Sequence, residues 1–154
     1  MASSDDIMIS VQSRFINGIL AGTKRVELRR RAPRIAPGTR IWLYDKAPVA
    51  SVRAVATLAT VETLSPDILW ERYKTTLGLS YDEYKAYLFG CDQATTLLLK
   101  YASPIRPVSL DQLRRLRVNF QPPQFYLKIQ AGEELLSVLE QHLDDRCVYE
   151  LQCC

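Results

Sequence analysis

Hydrophobic positions in this 154-residue chain switch between a strand-like period of two and a helical period. Residues 7–11 are rich in β-forming side chains, which predicts a buried first strand. Apolar side chains then recur at helical spacing between Ser13, the predicted N-cap, and Gly22, the predicted end of the helix. From residue 24 to residue 30 the period returns to two, so the next element is predicted to be a strand with one apolar and one charged face.

The rest of the chain shows a similar mixture of patterns. Further strands are predicted at residues 40–44, 51–62, 94–101 and 125–129. Helices are predicted after the capping serines Ser65, Ser80 and Ser109, and residues 133–145 are predicted to form an amphipathic C-terminal helix with a leucine face. Because strands and helices do not alternate regularly, the predicted fold class is α+β rather than a doubly wound parallel sheet, with residues 1–154 in a single domain.

Positive charge is concentrated in one part of the sequence. Between residues 14 and 40 there are eight Lys or Arg residues and one acid, Glu27, whereas the whole chain has a net charge of only +3. A concentrated basic region is typical of proteins that bind phosphate-rich ligands. Acids are concentrated near the other end, with six of them and one Arg between residues 133 and 150.

The basic region also carries a motif, Gly-x-Lys-x-x-Glu-x-Arg, followed by a strand that a Pro-Gly pair introduces. The matching residues are Gly22, Lys24, Glu27, Arg29 and Arg30. Together with residues 104–113 and 121–126, this segment resembles the ASCH domain family of the PUA-like superfamily over about residues 7–130. The resemblance implies a small β-barrel with flanking and inserted helices, and a ligand cleft that is usually linked to RNA.

Three residues of the motif form the candidate binding site. On a strand, Glu27 and Arg29 share a face, and Lys24 lies at its entrance. A carboxylate accepts hydrogen bonds from base amines, while a guanidinium forks onto phosphate. The resemblance implies that these positions line the cleft. Charge pattern alone leaves a second interpretation open, in which they form a salt-bridged surface with no ligand.

Other residues are predicted to extend this site. The cationic side chains that would follow a nucleic acid backbone beside the cleft are Arg30, Arg31, Arg34 and Arg40. A solvated basic loop is the alternative interpretation of these arginines. Tyr44 and Tyr126 are the predicted stacking partners for bases, because each ring also has a polar end.

These residues lead to one main functional hypothesis, an RNA- or nucleotide-binding module with a basic cleft. The first alternative is a small hydrolase of RNA or of a modified nucleoside, with Lys24 and Glu27 as candidate catalytic residues. ASCH relatives of the amidohydrolase type have threonine where this chain has Glu27, so the lysine is kept and the hydroxyl nucleophile is not. The second alternative is a protein-interaction domain that docks a partner on the C-terminal helix.

No metal or cofactor is expected. His142, Cys147, Cys153 and Cys154 follow no zinc-binding spacing, and the glycine-rich phosphate loops of nucleotide enzymes do not occur. No run approaches the ~18 apolar residues of a membrane span, and the first residues lack the pattern of a signal peptide. We therefore expect a cytoplasmic protein with no membrane partner.

Overall fold

The structure, a computed structural model, describes residues 6–143. Its strands are β1 (Asp6–Val11), β2 (Val26–Arg29), β3 (Arg40–Asp45), β4 (Ser51–Leu64), β5 (Ala94–Ser109) and β6 (Leu127–Ile129). Its helices are α1 (Ser13–Ala21), α2 (Pro66–Tyr73), α3 (Tyr81–Tyr87), α4 (Leu110–Leu116) and α5 (Glu134–Gln141). The predicted α+β class is confirmed. Among the described residues, no helix combines the length and the apolar character needed to cross a membrane.

The six strands form one sheet in the order β2-β5-β4-β3-β1-β6. Strands β1 and β3 are parallel, and the other neighbouring pairs are antiparallel. Within residues 6–143, β2 and β6 each pair on one side only, so the sheet has two edges and the predicted barrel is not confirmed. The Arg29 side chain, rather than backbone pairing, links β2 to β1 through a hydrogen bond of 3.3 Å to the Ser10 carbonyl oxygen.

Strands β4 and β5 are the longest, with 14 and 16 residues. Three register shifts interrupt their pairing, and such irregularities bend and twist a sheet. The sequence predicts that β5 ends near residue 101, but it continues through Pro104 and Pro107 to Ser109. Strand β2 pairs with β5 only as far as Leu98, so the later part of β5 resembles an edge strand, where proline is tolerated.

Buried apolar side chains form three groups around the sheet. Trp42 and Leu139 belong to the group between the sheet and helices α4 and α5. Ile16 belongs to the group under α1, and Leu28 and Leu69 belong to the group that joins β2 to α2 and α3. The second group packs α1 against β1, β3, β4 and β5, and the third packs α2 and α3 against β2.

Most helix ends follow the sequence signals. Gly22, with a φ of 82°, ends α1, and Ser80 and Ser109 each form a capping box. The prediction for Ser13 is wrong, because Gln12 occupies the N-cap position and makes no side-chain capping bond. Ser13 instead donates a hydrogen bond of 2.5 Å to Asp45 Oδ1, which ties the start of α1 to the end of β3.

Helix α5 is shorter than the predicted 133–145, and residues 144 and 145 lie outside the described part of the chain. Its leucine face, formed by Leu135, Leu136 and Leu139, is buried in the core. The leucine face is therefore covered by the protein itself, and the protein-interaction alternative is not confirmed.

Candidate functional site

A pocket of about 220 Å³ opens between α1, β2 and α3, beside the end of β1. We call it the Glu27 pocket. Its charged lining consists of Arg14, Lys24, Glu27, Arg29, Lys46 and Glu83. Four cations and two carboxylates thus share a small space, which suits a ligand that carries negative charge and also hydrogen-bond donors.

The carboxylate of Glu27 is the least satisfied group in this pocket. Its side chain is only 11% exposed, yet Oε2 lies 3.7 Å from Lys24 Nζ, and Oε1 lies 3.6 Å from Arg29 Nε. Both distances exceed hydrogen-bonding range, and within the described residues Glu27 Oε2 and Arg29 Nε have no hydrogen-bond partner. Burying such groups unpaired costs free energy, which makes Glu27 and Arg29 the candidate ligand-binding groups of this pocket.

Lys24 is held in place by close packing and by backbone oxygens. It is 3% exposed, and Nζ donates hydrogen bonds to the backbone oxygens of Val26, at 2.8 Å, and Leu77. A Cβ at Gly18 would lie 3.2 Å from Lys24 Cβ, and one at Gly78 would lie 3.3 Å from Lys24 Cδ, so glycine permits this close approach. Burial lowers the pKa of Lys24, although the nearby Glu27 carboxylate partly opposes that shift.

Arg29 connects the pocket to the opposite edge of the sheet. Nη2 donates to the Ser10 carbonyl at 3.3 Å, and Nη1 donates to the Phe125 carbonyl at 3.5 Å. These bonds orient the guanidinium so that Nε faces Glu27. Because two of its nitrogens are already engaged, Arg29 is pre-organised for a ligand at little further cost in side-chain entropy.

An ion pair between α1 and α3 lies at the rim of the pocket. Arg14 Nη2 contacts Glu83 Oε2, and Glu83 also accepts a hydrogen bond from the Ser80 backbone in the capping box. The hydrogen bond from Arg14, followed by that from Ser80, lowers the pKa of Glu83 to about 2. Tyr87, one turn further along α3, also lines the pocket, and burial raises the pKa of its hydroxyl.

Beyond Arg29 the surface continues into a second cavity of about 580 Å³. We call it the arginine groove. Its lining includes Arg29, Arg30, Arg31, Tyr87, Cys91 and Phe125. Arg29 and Tyr87 line both cavities, so the groove and the Glu27 pocket are neighbours. The structure therefore brings five of the predicted site residues together, namely Lys24, Glu27, Arg29, Arg30 and Arg31.

The remaining predicted residues lie elsewhere. Arg34 is exposed in the loop between β2 and β3 and lines neither cavity. Arg40 pairs with Asp6 at 2.7 Å and lies over the ring of Trp42, on the face of β3 opposite the pocket. Tyr44 is 2% exposed on that same face and offers no ring surface to a base.

Arg40 and Tyr44 therefore lie away from the Glu27 pocket, and their role in ligand binding stays a prediction. Even-numbered residues of β3 point toward α4 and α5, and the sheet lies between them and the pocket. Tyr126 is half-buried next to Phe125, with ring centroids 4.8 Å apart, and it packs against the core group under α1. It is a neighbour of the arginine groove but not part of its lining.

Several lining residues were not predicted. Arg14 belongs to the basic region, but its position on α1 gave no sign that it faces Lys24. Neither Glu83 nor Tyr87, which both belong to α3, is among the residues that the sequence predicts for the site. Both reach the site because the inserted helix α3 packs beside β2, and local sequence patterns carry no signal for that approach.

No metal site is evident in the described residues. Within residues 6–143, no three His, Cys, Asp or Glu side chains are grouped to hold a metal ion. Cys147, Cys153 and Cys154 lie outside these residues. The ring of His142 makes a hydrogen bond of 2.9 Å with the Arg106 carbonyl, far along β5 from the Glu27 pocket.

This chain is similar to known proteins both in sequence and in three-dimensional structure. The chain is 40% identical over 138 residues to an ASCH domain-containing ribonuclease from Zymomonas mobilis subsp. mobilis, a match that covers 88% of this chain and 93% of the relative. The crystal structure of ASCH from Zymomonas mobilis superposes with a TM-score of 0.82 at 40% identity, covering 87% of this chain and 94% of the other. No family model matches the chain.

A more distant likeness shows the fold alone. The N-terminal domain of Staphylothermus marinus McrB superposes with a TM-score of 0.56 at 11% identity. The match covers 91% of this chain and 95% of that domain.

Proposed function

This chain belongs to the ASCH domain family, and we propose that it is a ribonuclease that binds RNA in the Glu27 pocket and cleaves it there. The observation that carries the proposal is the buried Glu27 carboxylate, which lies between two cations and has no hydrogen-bond partner on Oε2 among the described residues. The relative named a ribonuclease shares 40% of its residues over nearly its whole length with this chain, which supports RNA as the ligand.

The pocket offers RNA two kinds of recognition. Arg29 and Lys46, with Lys24 behind them, attract a phosphodiester, while Glu27 accepts a hydrogen bond from a neutral donor. A ribose places a hydroxyl donor directly beside a phosphate, so RNA meets both requirements at once. DNA has no 2′-hydroxyl, and the 2′-hydroxyl is the group by which proteins distinguish the two nucleic acids.

The proposed reaction is an internal transfer at phosphorus. Glu27 takes the proton of a ribose 2′-hydroxyl, whose oxygen bonds to the adjacent phosphorus while the bond from phosphorus to the 5′-oxygen breaks. The Lys24 ammonium gives a proton to the leaving 5′-oxygen, and Arg29 stabilises the negative charge on the phosphate. The products are a 2′,3′-cyclic phosphate and a 5′-hydroxyl, and the proton on Glu27 then returns to Lys24.

The state of Lys24 supports its role as the proton donor. A buried lysine gives up its proton more readily than an exposed one, because its charged form is poorly solvated. Its two bonds to the Val26 and Leu77 carbonyls fix the ammonium beside Glu27. Arg29 keeps its charge throughout, so it serves the phosphate and not the proton transfer.

The test uses a labelled RNA oligonucleotide and the same oligonucleotide with 2′-deoxyribose at every position. Wild-type protein should bind both and cleave only the RNA, leaving 2′,3′-cyclic phosphate ends that mass spectrometry identifies. Glu27→Gln should lower the cleavage rate by about 10²–10⁴-fold, whereas Glu71→Gln, an exposed position on α2, should leave it unchanged.

Two results would contradict the proposal in different ways. Tight RNA binding with no cleavage by the wild-type protein would reduce the function to that of a binding module, the main hypothesis from the sequence. Absence of binding to any RNA at low salt would remove RNA as the ligand. An RNA ligand also agrees with the cytoplasmic location that we expect from the sequence.

A further inference from the structure

We propose that Tyr87 is a further catalytic residue of the Glu27 pocket, whose hydroxyl donates a hydrogen bond to a non-bridging oxygen of the reacting phosphate. This inference rests on the proposed function, since it adds a residue to the same cleavage reaction. Tyr87 keeps its proton throughout, so the bonds that form and break, and the proton transfers of Glu27 and Lys24, are those given above. Its contribution is to stabilise the negative charge that grows on the phosphate.

Helix α3 carries three tyrosines in different surroundings, and of these Tyr87 lines the Glu27 pocket. Tyr84 is 2% exposed and donates a hydrogen bond of 2.6 Å to the Pro66 carbonyl, so its hydroxyl belongs to the core. Tyr81 is exposed and lines neither the Glu27 pocket nor the arginine groove. Tyr87 follows Glu83 by four residues, which places both side chains on the face of α3 that meets the pocket.

The hydroxyl of Tyr87 is held more loosely than that of Tyr84. Its bond to the Leu28 carbonyl is 3.4 Å long, whereas O–H···O hydrogen bonds usually measure about 2.5–3.0 Å. A hydroxyl hydrogen rotates to suit its acceptor, so it turns from that carbonyl to a stronger acceptor without movement of the ring. A phosphate oxygen is charged and is such an acceptor. The long bond therefore leaves this donor available to a ligand.

Tyr87 also lies close to the two groups that the proposed reaction places around the phosphate. Leu28, whose carbonyl it meets, stands between Glu27 and Arg29 on β2. Burial raises the pKa of Tyr87, and the charges of Arg29 and Glu27 then lower and raise it respectively, so both act on the hydroxyl. With its pKa raised above 10, the hydroxyl stays protonated at neutral pH and serves as a hydrogen-bond donor.

A neutral donor complements the cations of the pocket. In the proposed reaction Lys24 gives its proton to the leaving oxygen, so its positive charge is lost during the step. Arg29 and Tyr87 keep their protons, and they approach the pocket from β2 and α3. Removal of one pre-organised donor from an enclosed site costs about 10²–10³ in rate. Because Tyr87 is 42% exposed, we expect a smaller loss of about 10- to 100-fold.

The experiment compares the wild-type protein with Tyr87→Phe, which removes only the hydroxyl and keeps the ring. Tyr84→Phe and Tyr81→Phe are matched controls on the same helix, the first at a buried hydrogen bond and the second at an exposed ring. Values of kcat and KM are measured on an oligonucleotide with a single 2′-hydroxyl in an otherwise 2′-O-methyl chain. The same substrate is also prepared with sulfur in place of either non-bridging oxygen, as two separate stereoisomers.

Tyr87→Phe should lower kcat by about 10- to 100-fold and leave KM nearly unchanged, because the hydrogen bond strengthens as the phosphate gains charge. Sulfur accepts hydrogen bonds only weakly. For one stereoisomer the loss caused by Tyr87→Phe should therefore nearly disappear, and for the other it should match the loss on the normal phosphate. Tyr81→Phe should behave like the wild type, and any loss in Tyr84→Phe should be the same on all three substrates.

Two results would overturn the inference and leave the proposed function intact. A kcat for Tyr87→Phe equal to that of the wild-type protein would show that the hydroxyl does not act on the phosphate. An equal loss on all three substrates would show that Tyr87 acts through the fold, as Tyr84 does. In both cases the wild type still cleaves RNA and Glu27→Gln does not. If the wild-type protein cleaves no RNA, the proposed function and this inference fail together.

Discussion

Two buried carboxylates, Asp45 and Glu27, have opposite surroundings. Asp45, at the end of β3, is 0% exposed, and both of its oxygens accept hydrogen bonds, one from Ser13 and one from Arg53. Arg53 is itself held by Asn17 at 2.6 Å. Glu27, on β2, is 8% exposed, and its Oε2 accepts no hydrogen bond within residues 6–143.

The difference separates a structural role from a functional one. Asp45 anchors the first turn of α1, the helix that carries Arg14 and Phe15 into the Glu27 pocket. Asp45 has a structural role, because each of its two oxygens accepts a hydrogen bond from another part of the fold. Within residues 6–143 the Glu27 Oε2 atom has no hydrogen-bond partner, so Glu27 is the carboxylate that the proposed function assigns to a ligand. Each prediction below tests whether this contrast holds.

The largest effect is expected from Glu27→Gln. Gln keeps the shape of the side chain but cannot take a proton, so the rate of RNA cleavage should fall by about 10²–10⁴-fold. The free energy of unfolding should change by less than about 1 kcal/mol, since Glu27 Oε2 makes no hydrogen bond within the described part of the chain. Cleavage assays and urea denaturation of the same preparation measure both. A large loss of stability would show that Glu27 is structural, as Asp45 is.

Asp45→Asn should have the opposite pattern of effects, with a large loss of stability and a small loss of cleavage activity. The new amide group turns a donor toward Ser13 or Arg53, so one buried hydrogen bond is lost and the free energy of unfolding should fall by about 1–3 kcal/mol. Urea denaturation measures this, with Asp111→Asn on the exposed side of α4 as the matched control. Cleavage per folded molecule should fall far less than in Glu27→Gln. A stability equal to that of the control would contradict the anchoring role.

The pKa of Lys24 tests whether its ammonium group interacts with the Glu27 carboxylate. Burial lowers the pKa of Lys24 below 10.5, and Glu27 opposes this, so the pKa should fall further in Glu27→Gln. Between the folded pKa and 10.5 the unfolded chain binds more protons, so the free energy of unfolding should rise with pH in that window. NMR of the Lys24 ammonium and denaturation at several pH values measure the two effects. A pKa that does not move in Glu27→Gln would show that the two groups are not coupled.

The smallest effect is expected from Glu83→Gln at the rim of the pocket, measured as a change in melting temperature. The pKa of Glu83 is about 2, below its ordinary value of 4.5, so the stability that its ion pair with Arg14 provides is present above pH 4.5 and is lost as pH falls through 2. Glu83→Gln keeps the capping box and removes only the charge. Its melting temperature should lie slightly below that of the wild type at pH 6, because both partners are partly exposed, and should match it at pH 2. A difference that persists at pH 2 would show that the loss has another cause.

The sequence predicted correctly that Glu27 and Arg29 lie together, but it did not predict which other residues surround them. Period two on β2 is a local property, so Glu27 and Arg29 could be assigned to one face from their spacing alone. Arg40 and Tyr44 have the same kind of pattern, but the face of β3 that they occupy turns away from the pocket. The strand pattern says which residues share a face, and it does not say what that face meets.

What the sequence determined by itself was the kind of each element, the helix-ending Gly22, the two capping boxes, the α+β class and the grouping of Lys24, Glu27 and Arg29. These follow from interactions between residues that are close in the chain. Only the tertiary structure decided three features of residues 6–143. The sheet has β2 and β6 as its edges, and α3 brings Glu83 and Tyr87 to the pocket. In that part of the chain Glu27 Oε2 has no hydrogen-bond partner, whereas each Asp45 oxygen accepts a hydrogen bond. Those outcomes depend on contacts between distant segments, where packing determines which polar atoms meet a partner and which are left for a ligand.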